Sequence, residues 1–160
     1  MQRNNLYCLP ENYAIKFFYY QLISAPYLLY VAENPQKDII GYCIGSINTE
    51  EKSGHIVSIA VFRSYRKMGL AKKLMSLCLE DMKAQGATQC SLNVRVCNIA
   101  AQQLYLKSLD YAVDHLEEKY YADGEDAFYC TLHFDEKVHK EQKEKGQKLF
   151  DEYKEKQAKV

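Results

Sequence analysis

The chain has 160 residues, 21 Lys and Arg against 21 Asp and Glu for a formal net charge of zero, and 48% hydrophobic residues. That length suits one domain with a substantial core, and the balanced charge excludes the basic field on which nucleic-acid binding rests. The six cysteines contain no C-x-x-C pair, no run approaches about eighteen uninterrupted apolar residues, and the start lacks a basic region followed by an apolar stretch; the expectation is a soluble intracellular chain with reduced thiols and no zinc site.

Pro10 disfavours helix at Leu9, so one helical piece should end there and another begin near Pro10 or Glu11. The second piece, Ile15 to Ile23, is rich in aromatics and stops before Ser24-Ala25-Pro26. Leu28 to Ala32 reads as a strand, Asn34 to Asp38 as a turn, and Ile39 to Ile47 as the returning strand of a hairpin. Glu50 to Gly54 is the next turn, and His55 to Phe62 the third strand. An amphipathic helix carrying Leu70, Leu74, Leu77, Cys78 and Met82 runs to about Gln85 and is capped by Gly86. Ser91 to Val96 is a strand, Asn98 caps a helix whose face includes Ala101, Leu104 and Tyr105, and Leu109-Asp110-Tyr111 ends it. Two more strands, about Ala112 to Leu116 and Ala127 to Phe134, flank the loop Tyr120 to Asp126. From Asp135 to Val160 nearly every residue is Lys, Glu, Gln or Asp, which predicts a frayed, solvated helix or disorder with no continuous buried face. The order predicts an α/β fold, a mixed, mostly antiparallel sheet with flanking helices, over residues 1–134, followed by a charged tail over 135–160.

Between the third strand and its helix lies Phe62-Arg63-Ser64-Tyr65-Arg66-Lys67-Met68-Gly69-Leu70-Ala71. The first turn of a helix leaves backbone N–H groups without intrahelical partners, and phosphates suit that place. Gly69 removes a Cβ from the approach, Leu70 and Ala71 open the helix, and Arg66 with Lys67 adds full positive charge. The spacing Arg66-x-x-Gly69-x-Ala71 is neither a Walker P-loop nor the Rossmann fingerprint. A ligand is expected where the strand His55–Phe62 lies beside the strand Ser91–Val96.

This turn resembles the acetyl-CoA pyrophosphate motif of the GCN5-related N-acetyltransferase (GNAT) superfamily. Four further segments resemble the catalytic-subunit family of the N-terminal acetyltransferase A (NatA) complex: Cys8 to Tyr13, Gly54 to Val61, Val94 to Ala101 and Lys119 to Ala127. The likeness runs from about Met1 to about Leu132. It implies a GNAT fold, acetyl-CoA as co-substrate with no metal, and an acceptor that is the free α-amino group of nascent protein N-termini. Small first residues are the family's substrates when a large helical-repeat auxiliary subunit holds it on the ribosome, and acidic ones when it is alone. It further implies a cytoplasmic place, with the nucleus as a second compartment, and no membrane partner. Family members usually begin with an edge strand and the first turns of a helix ahead of the point matching Met1, so that first edge strand is expected to be missing here and the true start to lie upstream.

The resemblance also assigns residues. Glu11 is the candidate base or amine-orienting group, His55 a proton relay through water, and Tyr105 the donor to the leaving thiolate. Ile59 and Val61 offer backbone groups to the pantetheine arm, while Arg66, Lys67, Gly69, Leu70 and Ala71 take the pyrophosphate and Asn98 the cofactor end of the next helix. Leu9, Glu11, Tyr13, Arg95, Tyr120 and Tyr121 line the acceptor site, and the aromatic helix around Phe17, Phe18, Tyr19 and Tyr20 is the expected auxiliary-subunit surface. Each residue has a plainer reading beside this one: Glu11 as an acidic first-turn residue, His55 as a turn histidine, Tyr105 as a core tyrosine, Asn98 as a helix cap and the tyrosine pair as packing. Cys97 is set aside as an acyl carrier because direct transfer suffices and no histidine lies near it in sequence. Acetylation of a lysine side chain, or acetyl-CoA binding without catalysis, are the alternative functions.

Overall fold

The structure, a computed structural model, describes residues 1–157. Contacts divide the chain into two units, one ending at Ala87 and one beginning at Thr88. No helix among the described residues is long and apolar enough to cross a membrane.

The first unit contains α1 (Gln2–Cys8), α2 (Ile15–Ser24), β1 (Leu29–Glu33), β2 (Ile39–Asn48), β3 (Ser53–Val61) and α3 (Leu70–Ala84). β2 pairs antiparallel with β1 on one side and β3 on the other. Helix α3 covers one face through Leu74, Met75, Cys78, Leu79 and Met82; of the stripe read in the sequence Leu74, Cys78 and Met82 are buried, whereas Leu77 is exposed and Met75 and Leu79 take part instead. Glycines make room for it: a Cβ at Gly45 would lie 2.5 Å from Met82 Cε, and one at Gly54 would lie 2.5 Å from Met82 Sδ. The other face carries Phe18, Tyr42, Ile44 and Ala60, with Leu9, Tyr13 and Phe17 packed at its edge. Gly86, at φ 86°, closes α3 by donating to the Lys83 carbonyl while Ala87 donates to that of Met82, so the expected glycine cap is present.

The second helical piece, read over Ile15 to Ile23, spans Ile15–Ser24, but the start expected near Pro10 or Glu11 is corrected: no helix begins there, and the first turn of α2 holds no acidic residue. Its start is displaced because the buried Asn5 holds residues 9–13 in a loop: its side chain donates to the Glu11 carbonyl at 2.8 Å and accepts from the Tyr13 amide at 2.9 Å. The third strand, expected over His55 to Phe62, spans Ser53–Val61 and carries an irregularity. Its pairing with β2 steps from Ile44–Ser58 to Gly45–Ile56, a one-residue bulge at Val57. As a result Gly54 faces α3, whereas Ala60, and Ser58 through its hydroxyl contact with Tyr42, lie on the aromatic side.

The second unit contains β4 (Gln89–Arg95), α4 (Ile99–Gln102), a π-helical turn (Gln103–Ser108), β5 (Ala112–Glu117), β6 (Ala127–His133) and α5 (Glu136–Gln157). β6 pairs antiparallel with both β4 and β5. The segment expected to be a frayed, solvated helix or disordered is one helix, and the correction is that it is packed on β5. Its docking stripe is His139, Gly146, Phe150 and Tyr153, spaced by whole helical turns within an otherwise charged sequence. His139 lies 3.3 Å from Asp110, and the rings of Phe150 and Tyr153 lie 5.2 and 5.1 Å from that of Phe128. Gly146 comes so close to Val113 that it has no room for a side chain. The last three residues of the predicted tail lie outside the described residues.

Candidate active site

The strand-to-helix turn of the first unit is built as the sequence suggests. After β3 a 3₁₀ turn, Arg63–Tyr65, leads to Lys67 at φ 62° and Gly69 at φ 77°, the residue immediately before α3. The left-handed region is open to glycine and costly to other residues, so Gly69 answers a backbone requirement. A Cβ there would meet nothing within 4 Å, so the glycine leaves open surface against the backbone. The first backbone bond of α3 runs from the Lys73 amide to the Gly69 carbonyl, no side chain caps the helix, and its first turn holds no acidic residue. Amides of Leu70 and Ala71 therefore precede the helical ladder at an end with partial positive charge. Arg66 donates through Nε to the Val61 carbonyl at 3.1 Å, which ties the turn back to the end of β3, and Lys67 is exposed. These donors and the missing Cβ fit a pyrophosphate.

The acceptor candidates of this unit lie in the loop after α1. Leu9 and Tyr13 both pack on the aromatic cluster, with the Tyr13 ring stacked on Phe17 at 4.1 Å. Glu11 is half-buried, and because α2 starts four residues later the plain reading of Glu11 as a first-turn residue does not hold. His55 is the third residue of β3, opposite Ser46, and sits within the strand rather than in a turn. On the same strand Ile59 and Val61 face Cys43 and Gly41 across the β2 ladder, while Val57 is passed over by it. In α2, Phe17 and Phe18 go to the core, whereas Tyr19, Tyr20, Leu22 and Ile23 are exposed, Ile23 by 81%.

In the second unit the residues after β4 form one polar network. Asn98 caps α4 by accepting from the Ala101 amide at 3.2 Å. Buried Gln102 donates to the carbonyls of Arg95 and Val96, at 3.2 and 2.8 Å. Tyr105 is buried in the π turn, its ring 6.2 Å from that of Tyr111. Arg95 Nη1 donates to Asp123 Oδ2 at 2.8 Å and to Glu125 Oε2 at 2.5 Å, and its guanidinium carbon lies 3.9 Å over the Tyr121 ring. Tyr120 packs edge-on to Tyr121 at 4.9 Å. The other Glu125 oxygen accepts from the Cys97 amide at 2.9 Å.

Burial by itself would raise the Glu125 carboxyl, but hydrogen bonds from Cys97 and Arg95 outweigh it and hold the group below its usual range. The Glu125 amide and then the Arg95 guanidinium do the same for Asp123. In return the Glu125 carboxylate pushes the Cys97 thiol up, which lowers its thiolate fraction and speaks against an acyl-carrier role. Asn5, Gln102, Asp123 and Glu125 were not singled out from the sequence. Asp123 and Glu125 meet Arg95 from about thirty residues away, and Asn5 and Gln102 bond backbone six to eight residues off at no helical or strand period, so no local spacing marks them.

The sequence matches the Acetyltransferase (GNAT) family over residues 3–111. The N-terminal acetyltransferase A complex catalytic subunit ard1 of Schizosaccharomyces pombe is 46% identical over 145 residues, spanning 84% of this chain and 82% of that protein. The N-terminal acetyltransferase A complex catalytic subunit NAA10 of Arabidopsis thaliana is 48% identical over 131 residues, 80% of this chain and 68% of that one. The crystal structure of Chaetomium thermophilum Naa20 in complex with a bisubstrate analogue superposes with a TM-score of 0.77 at 26% identity, covering 87% of this chain and 83% of that chain. With a GNAT match over most of its length and relatives of this closeness, the chain belongs to the GNAT acetyltransferases, among the N-terminal acetyltransferases that include the NatA catalytic subunits.

Proposed function

We propose that the chain moves acetyl from acetyl-CoA to the free α-amino group of protein N-termini by direct attack in a ternary complex. The observation that carries this reading is the uncapped start of α3 behind the left-handed Gly69. Acetyl-CoA supplies the acetyl group as a thioester. Arg66, Lys67 and the amides around Gly69, Leu70 and Ala71 hold its pyrophosphate, and the backbone of Ile59 and Val61 takes its pantetheine arm as an added strand would. Asn98, by capping α4, fixes the cofactor end of that helix.

On the acceptor side Leu9, Tyr13, Tyr120 and Tyr121 line the peptide. Arg95 serves them by holding Tyr121, since its guanidinium is already engaged by Asp123 and Glu125. Glu11 orients the α-amine and receives its proton, His55 passes that proton on through water, and Tyr105 protonates the leaving thiolate. Small first residues are the substrates of the complexed form and acidic ones of the isolated chain.

Exposure of Tyr19, Tyr20, Leu22 and Ile23 on α2 supports reading this face as the surface for a large helical-repeat auxiliary subunit, with the cytoplasmic ribosome as the proposed place of work. Two solved relatives, the NatC complex bound to Gag peptide and CoA and the NatB acetyltransferase complex bound to CoA and MES, are complexes by their descriptions and lend this support. The test is CoA release from acetyl-CoA with matched peptides beginning with Ser, beginning with Glu, and with a blocked N-terminus plus an internal Lys. Turnover on the free N-termini is expected, and turnover on the blocked Lys peptide alone would overturn the acceptor assignment.

A further inference from the structure

The Tyr120–Tyr121 loop and the Asn98 turn carry separate tasks in the proposed function, one toward the acceptor and one toward the cofactor. A single carboxylate joins them. Glu125 Oε1 accepts from the amide of Cys97, the residue immediately before the Asn98 cap, at 2.9 Å. Oε2 accepts from Arg95 at 2.5 Å, and the same guanidinium covers the Tyr121 ring. The backbone of Glu125 closes the loop as well, accepting the Tyr121 amide at 3.1 Å. Asp123 shares the Arg95 nitrogen, but its side chain is 59% exposed against 22% for Glu125, and it has no bond to the α4 turn among those of the described residues. Both bonds are charge-assisted, and the one to the more buried Glu125 is less weakened by solvent screening. A displacement of the tyrosine loop therefore reaches the Cys97–Asn98 backbone through Glu125, and the reverse also holds.

We propose that Glu125 is a positioning residue that couples the Tyr120–Tyr121 loop to the Asn98 turn, so that ligand binding at either one favours binding at the other. The inference rests on the reading of these two segments as acceptor and cofactor contacts. Coupling is reciprocal: CoA must tighten peptide binding by the same factor by which peptide tightens CoA binding. A factor of roughly 5 or more is the ordinary size of such an effect.

The experiment is calorimetric titration of the full chain with a Ser-initiated peptide, without and with saturating CoA, in wild type and in Glu125→Gln. Glutamine keeps an oxygen for the Cys97 amide but turns an amide group toward the Arg95 guanidinium. In wild type CoA is expected to lower the peptide Kd by about 5-fold or more. In Glu125→Gln that factor falls toward one, while the affinity for CoA alone stays close to wild type. Arg95→Lys, which keeps the charge and loses the shared geometry, loses the coupling too and serves if Glu125→Gln does not fold. Asp123→Asn retains it. An unchanged coupling factor in Glu125→Gln and Arg95→Lys, with acetylation of free N-termini intact in wild type, overturns the role of Glu125 alone. Failure of wild type to acetylate any free N-terminus strikes the functional reading itself, and the coupling falls with it.

Discussion

Replacing Gly146 by alanine sets two effects of opposite sign against each other. In a helix interior, alanine is favoured over glycine by about 0.8–1.0 kcal/mol. At this position, however, a Cβ would lie 2.1 Å from the Val113 carbonyl oxygen and 3.0 Å from that residue's carbonyl carbon and nitrogen. The obstruction is backbone of β5, which cannot rotate aside as a side-chain tip can. To restore ordinary contact near 3.4 Å, α5 must lift by roughly 1.3 Å. That lift pulls Phe150 and Tyr153 off Phe128 and opens the pairing of Asp110 with His139 and Lys143. Overpacking of this kind costs about 1–3 kcal/mol, and the collision with backbone puts it at the upper end, so a net loss of ~1–2 kcal/mol remains. For a chain of this size the melting temperature falls by roughly 2–4 °C per kcal/mol. Thermal denaturation followed by circular dichroism reads the change. Lys148→Ala, on an exposed position of the same helix, should stay within about 0.5 kcal/mol of wild type and is the control. A melting temperature for Gly146→Ala at or above that of wild type would refute the close docking of α5 on β5.

Asn5→Ala removes both side-chain bonds that hold the 9–13 loop and leaves the partnered Glu11 carbonyl and Tyr13 amide without them, a loss of about 1–3 kcal/mol. Steady-state kinetics should then show a raised KM for the peptide with the KM for acetyl-CoA little changed; the opposite split would remove the loop from the acceptor site. The Glu125 and Asp123 carboxyls are held below their unfolded values of 4.5 and 3.8, so their ion pairs with Arg95 contribute stability that is complete above those values and is lost as pH falls through the lower folded ones. Carboxyl NMR titration should accordingly give midpoints below the unfolded values, with no change in the Tyr121 loop between about pH 6 and 8, and a midpoint above 4.5 for Glu125 would contradict the geometry of the Arg95 clamp.

What the sequence reveals and what it hides divides along one physical line. Periodic burial is local, so α3 and the strands were legible to within a residue or two at their ends, and Gly69 announced itself as a glycine between a strand run and an amphipathic run. Side-chain bonds to backbone follow no helical or strand period. Asn5 displaces the start of α2 from a position that Pro10 alone would have favoured, and nothing in its neighbourhood says so. The bulge at Val57 is hidden for another reason: the run Gly54, Ile56, Ser58, Ala60 alternates without a break, and only pairing with β2 shows that its two halves face opposite sides. In the last helix composition misled, since Gly146 docks by its backbone and two aromatic rings suffice where mean hydropathy predicts solvation. The turn before α3 was legible because a local glycine between a strand run and an amphipathic run marks it. The clamp on Tyr121 was not, because it exists only once Arg95 and Glu125 are brought together.

The choice of acceptor follows from what the chemistry demands of the protein. An α-amine with a pKa of about 7.7–8.0 is already roughly one quarter neutral near pH 7.4, so an ideal base could gain only about 4-fold in reactive amine, less than ~1 kcal/mol. A lysine side chain, at about 10.4, is neutral only about once in a thousand, and the same correction is worth ~4 kcal/mol. Orientation of the reacting groups is worth more than the first figure and cannot replace the second, because a charged ammonium has no lone pair to align. The acceptor candidates are organised for orientation. Buried Asn5 fixes the loop that carries Glu11, and Arg95 with two carboxylates fixes Tyr121. On the proposed reading Glu11 receives the proton while Asn5 holds its loop and Arg95 holds Tyr121, an arrangement matched to an amine that needs to be held more than it needs to be deprotonated.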